Sequence, residues 1–86
     1  MSDTMTTLRP LVARVSHHPA ESLAPDTRFT ALGSWGSLAA MRLLAAVEQT
    51  YGVQLDLRAY MKLETVGELA SEISARLPGG AQTHAG

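Results

Sequence analysis

Thr65-Val66-Gly67-Glu68-Leu69-Ala70-Ser71-Glu72-Ile73-Ser74-Ala75-Arg76-Leu77 is the most legible stretch of this 86-residue chain. Val66, Leu69, Ala70, Ile73 and Leu77 fall on one stripe at i, i+3, i+4, i+7 spacing, which is the signature of an amphipathic helix. Thr65 and Glu68 stand three apart and form a capping box, in which each side chain satisfies an amide at the helix start. Pro78-Gly79-Gly80 ends the pattern, and residues 78–86 are expected to be disordered. A helix this short is not stable alone in water, so its apolar stripe requires other helices to bury it.

Working back along the chain supplies those partners. Ser37 to Tyr51 predicts a second long helix, with Ala40, Leu43, Leu44, Val47 and Tyr51 on one face and Arg42, Glu48 and Gln49 elsewhere. Gly52 follows directly and suits the left-handed stop of a helix C-terminus. Leu55-Asp56-Leu57 opens a short helical piece through Tyr60 and Met61. Near the start, Leu8, Leu11, Val12 and Val15 have helical spacing, with Thr7 as the expected cap and Pro10 in the first turn, where proline costs no hydrogen bond. Ser16 to Gly36 is rich in turn formers (Pro19, Pro25-Asp26, Gly33) yet contains Leu23, Phe29 and Leu32, so it reads as a long loop pinned to the core. Connections of this length tend to be functional. The expected architecture is all-α: a small four-helix bundle with three main helices, one short helix and a long first loop. A folded domain over 7–77 is expected between a flexible lead, 1–6, and the disordered tail, 78–86.

Composition narrows the function. With 45% hydrophobic residues and no cysteine, the chain has one packed core and neither disulfides nor thiolate metal sites. The net charge is −1, and the arginines (Arg9, Arg14, Arg28, Arg42, Arg58, Arg76) are spread rather than clustered, which argues against nucleic acid as a partner. No basic flank precedes an apolar N-terminal run, and no apolar run approaches a membrane span. A cytoplasmic monomer without a membrane partner is the expectation; Met1 with the short tail after Leu77 suggests a separate polypeptide, and an excised domain given a start codon has the same ends.

The segment Asp26-Thr27-Arg28-Phe29-Thr30-Ala31-Leu32-Gly33-Ser34-Trp35-Gly36-Ser37-Leu38 resembles the acyl and peptidyl carrier proteins. Leu32-Gly33 and Ser37-Leu38 match that family in order, and Trp35 is similar to its Trp-Asp-Ser-Leu variant. Val47-Glu48-Gln49-Thr50-Tyr51-Gly52-Val53 looks like the family's exit from the second helix, and Thr65-Val66-Gly67-Glu68-Leu69-Ala70 like its opening of the last. The resemblance spans roughly Leu8 to Leu77, and it is the order and spacing of the three blocks that make it specific. It implies a non-catalytic shuttle. A phosphopantetheinyl transferase moves 4′-phosphopantetheine from coenzyme A to the family's serine, which by position is Ser37. An acyl- or aminoacyl-loading enzyme then charges the arm's thiol as a thioester, and downstream synthase or tailoring enzymes use it. Trp35, Gly36, Leu38, Met41 and Arg42 flank that serine and are the candidates for partner recognition.

Two features separate this chain from the family's usual pattern. The residue before the serine is normally Asp and here is Gly36, which caps a helix without a side chain and lacks a charge a transferase can read. The helix after Ser37 offers Met41, Arg42 and Ala45 before its first acid, Glu48, whereas fatty-acid synthase carriers are strongly acidic there. The resemblance therefore implies polyketide or nonribosomal peptide enzymes as partners. An unloaded carrier fold that serves only for docking shares the same core and stays open at this level.

Other chemistry fits less well. Ser37 lies in neither a Gly-x-Ser-x-Gly elbow, since Ala39 stands at the second glycine, nor a Ser-x-x-Lys pattern, since Ala40 stands at the lysine. His17 and His18 fall in a polar loop and read as solvated rather than metal-binding. Trp35 is either a shield for the attachment point or a packing anchor. Leu38 and Met41 are either a partner-facing apolar patch or the edge of the core.

Overall fold

The computed structural model describes residues 3–32 and 35–77. Four α-helices follow in the order α1 (Asp3–Ser16), α2 (Ser37–Tyr51), α3 (Leu57–Lys62) and α4 (Val66–Arg76). Gly33 of the expected turn and the expected disordered tail, 78–86, lie outside the described residues.

Three helices build the core. Leu8 and Val12 of α1, Leu43 and Val47 of α2, and Val66, Leu69 and Ile73 of α4 are all fully buried. Burying one such side chain contributes about 1.5–3 kcal/mol, so these seven dominate the fold. The direction of α1 is fixed by two polar contacts. Thr7 Oγ1 lies 2.6 Å from the Tyr51 hydroxyl at the end of α2, and Thr4 Oγ1 lies 2.8 Å from Ser74 Oγ near the end of α4. The start of α1 thus sits beside the ends of both other long helices, and its own end returns to the start of α2.

These contacts correct the expected helix start. α1 begins at Asp3 rather than after a cap at Thr7, Met5 is buried in the core, and Pro10 lies inside the helix instead of in its first turn. Proline there removes the hydrogen bond to the carbonyl of Thr6 and crowds the turn before it. Burial of Met5 and Leu8 and the hydroxyl contacts of Thr4 and Thr7 hold the extra turn in spite of that cost.

α1 ends at Ser16; the next residue, His17, has a φ of 56° in the left-handed region, and the amide of His18 donates to the carbonyl of Ala13 at 3.1 Å. This is a Schellman stop with histidine in the position glycine usually holds. The loop that follows is pinned as its sequence implies, with Leu23, Phe29 and Leu32 buried. Its middle pairs with the entrance to α4: Phe29 N donates to Glu64 O, Val66 N to Thr27 O and Gly67 N to Pro25 O. The last approach is close enough that a Cβ on Gly67 would lie 2.7 Å from the Pro25 carbonyl oxygen, so only glycine fits.

The capping box is present with one shift. Thr65 Oγ1 accepts from Glu68 N at 3.1 Å, while Glu68 Oε1 reaches back to the amide of Glu64, one residue before the cap. α2 ends at Gly52, in the left-handed conformation (φ 69°), whose amide donates to Glu48 O. α3 is capped by Asp56, which accepts from Ala59 N.

Candidate functional site

Ser37 is the first residue of α2 and is exposed, because the core-facing side chains of this helix begin only at Ala39 and Ala40. The preceding Gly36 is extended (φ −173°, ψ −171°), and no side chain caps the helix. Among the described residues, no side chain accepts from the first-turn amides of α2, the donors that a helix start leaves without an intrahelical partner. They carry the positive end of the helix dipole. Space beside Gly36 is open, with nothing within 4 Å of where a Cβ would stand.

Two depressions open near the start of α2, and the second is lined by Ser37 itself. The first, about 280 Å³, lies between the loop, α2 and α3, with Phe29, Trp35, Ala40, Tyr60, Met61 and Leu63 among its walls and Arg28 and Glu64 at its edge. Those two residues form an exposed ion pair at 3.3 Å. The second, about 410 Å³ and more open, lies on the α1 side and brings His17, Trp35, Leu38 and Arg42 around Ser37. Trp35 lines both. It is half-buried and stacks on Phe29 with ring centroids 4.9 Å apart and planes 17° apart, so packing anchor and wall of the site are one role.

α3 is held against the first turns of α2 by one bond, from the buried Tyr60 hydroxyl to the Ala40 carbonyl. Burial pushes the Tyr60 phenol well above its ordinary value. The remaining sequence candidates, Leu38, Met41 and Arg42, are all exposed on the outer surface of α2. Leu38 and Met41 therefore do not finish the core.

Sequence reasoning placed Trp35, Gly36, Ser37, Leu38, Met41 and Arg42 together, and the structure gathers all six at one end of the molecule. It did not bring His17 there, since proximity to Ser37 depends on α1 running antiparallel to α2. Nor did it find the Tyr60–Ala40 bond, for which the only sequence signal is a tyrosine among the apolar positions of a short helix.

An exposed hydroxyl at an open helix start can receive a group delivered from outside. The sequence profile of the family described as "Phosphopantetheine attachment site" matches residues 6–73. The chain belongs to this family. The solution structure of the holo acyl carrier protein from Geobacter metallireducens is similar throughout, with a TM-score of 0.78 and 26% identity over 96% of this chain and 95% of that one. No curated protein matches the sequence significantly. The molecule is accordingly a non-catalytic carrier protein, whose covalent group is 4′-phosphopantetheine and whose partners include a phosphopantetheinyl transferase and acyl-handling enzymes. The start of α2 fits that group, since an exposed hydroxyl stands where uncapped amides can meet a phosphodiester. Among the described residues, no helix is long and apolar enough to cross a membrane.

Proposed function

We propose that Ser37 is the attachment residue and that the loaded carrier serves polyketide or nonribosomal peptide biosynthetic enzymes. The observation that carries the assignment is the exposure of Ser37 at the start of α2, where Gly36 offers no side-chain cap and Ser37 lines an open depression. In loading, Ser37 Oγ forms a bond to the phosphorus that bears the pantetheine. The pyrophosphate bond of coenzyme A breaks, adenosine 3′,5′-bisphosphate leaves, and the hydroxyl proton passes to a base of the transferase. The first-turn amides of α2 then hold the phosphodiester, and Trp35 walls its point of attachment.

The choice of pathway rests on the outward side of α2, where Leu38, Met41, Arg42 and Ala45 carry no acid. Partners that read a dense acidic helix have nothing to hold there. The 280 Å³ depression offers the load mostly apolar walls within reach of the arm.

Intact mass after incubation with coenzyme A and a broad-specificity phosphopantetheinyl transferase tests the reading. The expected result is one phosphopantetheine on the wild-type chain and none on Ser37→Ala. No gain by the wild type establishes the docking-only alternative, and gain by Ser37→Ala overturns the site.

A further inference from the structure

The depression of about 410 Å³ on the α1 side of Ser37 draws donors from two helices: His17 from just beyond α1 and Arg42 from α2. Both are exposed, and among the described residues neither side chain enters an ion pair or a hydrogen bond. No acid lines the depression. Glu21, the first acid after His17 in the sequence, is exposed in the loop and is not part of its wall. Glu48, the first acid after Ser37, lies in the last turn of α2 and accepts from Leu55 N.

The backbone of His17 adds an independent observation. Its φ of 56° is a value that residues with a side chain seldom adopt, and glycine is the usual occupant of this place after a helix. Packing does not explain the exception, because His17 is exposed. A ring kept in a disfavoured conformation on the wall of the depression that contains Ser37 points to a use for the ring.

We propose that His17 and Arg42 hold the phosphodiester of a phosphopantetheine carried on Ser37, fixing the root of the arm on the α1 side of α2. The proposal rests on Ser37 as the attachment residue. A phosphodiester presents anionic oxygens that only accept. Arg42 is a permanent cation with a fork of N–H donors, and an imidazole offers a ring N–H in either charge state. On the other side of the site, the 280 Å³ depression has Arg28 at its edge, but that guanidinium is already paired with Glu64. The unpaired donors therefore lie toward α1. His17 and Arg42 are positioning residues, acting on the root of the arm while its thiol end stays free to travel.

The test uses the full chain, ¹³C/¹⁵N-labelled and treated with coenzyme A and a transferase, with the position of the arm mapped first. No loading, or an arm elsewhere than Ser37, overturns the assignment of Ser37 and this proposal with it. With the arm on Ser37, loading is expected to shift the His17 ring and Arg42 Nε–H resonances and to leave that of Arg28 in place. ³¹P spectra of loaded His17→Gly, Arg42→Gln, their double variant and Arg28→Gln are then compared at fixed pH and low salt. The double variant is expected to move the phosphodiester resonance to that of a phosphopantetheinyl-serine peptide, each single variant part of the way, and Arg28→Gln not at all. Raising salt from about 50 to about 500 mM should move the wild-type resonance in the same direction. Glycine suits the left-handed position, so His17→Gly is expected to melt no lower than the wild type, which separates a lost contact from a lost fold. With the arm on Ser37, unshifted His17 and Arg42 resonances, a phosphorus signal indifferent to both variants, or one that follows Arg28→Gln overturns the proposal and leaves the attachment site standing.

Discussion

The starts of α4 and α2 are the same kind of structure treated in opposite ways. At α4, Thr65 caps the helix, Glu68 reaches back to the amide of Glu64, and Gly67 lets the Pro25 carbonyl come in from the loop. At α2 the cap is Gly36, no side chain among the described residues accepts from the first turn, and the space beside Gly36 is open. The first arrangement satisfies donors within the chain, while the second keeps them available to something that arrives. A small domain can leave a helix start without a side-chain cap because the penalty is modest, and the residue proposed for attachment stands at that start.

The comparison can be broken most severely at Gly67. Gly67→Ala puts a Cβ against the Pro25 carbonyl oxygen and is expected to destabilise the fold by about 1–3 kcal/mol, despite alanine's better helix propensity. Urea denaturation with an unchanged slope measures it. Thr65→Ala removes the cap of α4 and should cost about 1 kcal/mol in the same assay.

Tyr60 ties α3 to the first turns of α2, and its contribution depends on pH. Burial raises its folded-state pKa, so the folded chain holds this proton more tightly than the unfolded chain. The contribution is whole below the ordinary phenol value of about 10 and falls as pH rises above it. Thermal melts should show an alkaline loss that Tyr60→Phe flattens, the variant itself costing about 1 kcal/mol at neutral pH through the lost bond to Ala40.

The smallest expected stability effect sharpens the comparison from the other side. Gly36→Asp should stabilise by only a few tenths of a kcal/mol, since glycine is itself a fair cap and the site has room for the side chain. Its larger consequence is expected in the initial rate of phosphopantetheine transfer, which should rise if a transferase reads the missing carboxylate. An unchanged rate would show that Gly36 does not limit recognition.

What the sequence made legible follows from where the interactions are local. The stripe of α4, the stop at Gly52 and the pinning of the loop by Leu23, Phe29 and Leu32 each depend on side chains a few residues apart, and each is present. The start of α1 was misplaced because its support is remote: Met5 enters a core made by other helices, and Thr4 and Thr7 bond to Ser74 and Tyr51. Pro10 looked like a boundary only because those contacts cannot be read from neighbours. The same limit hid His17 from the site, while Ser37 and its flanks were visible as one continuous motif.

The central claim is that the arm stands on Ser37, and it has a direct measurement. Trypsin cuts after Arg28 and Arg42, so the peptide Phe29–Arg42 contains both Ser34 and Ser37. Tandem mass spectrometry of that peptide from the loaded wild-type chain is predicted to place phosphopantetheine on Ser37 with Ser34 unmodified. Localisation to Ser34, or to a serine in any other peptide, would contradict the account.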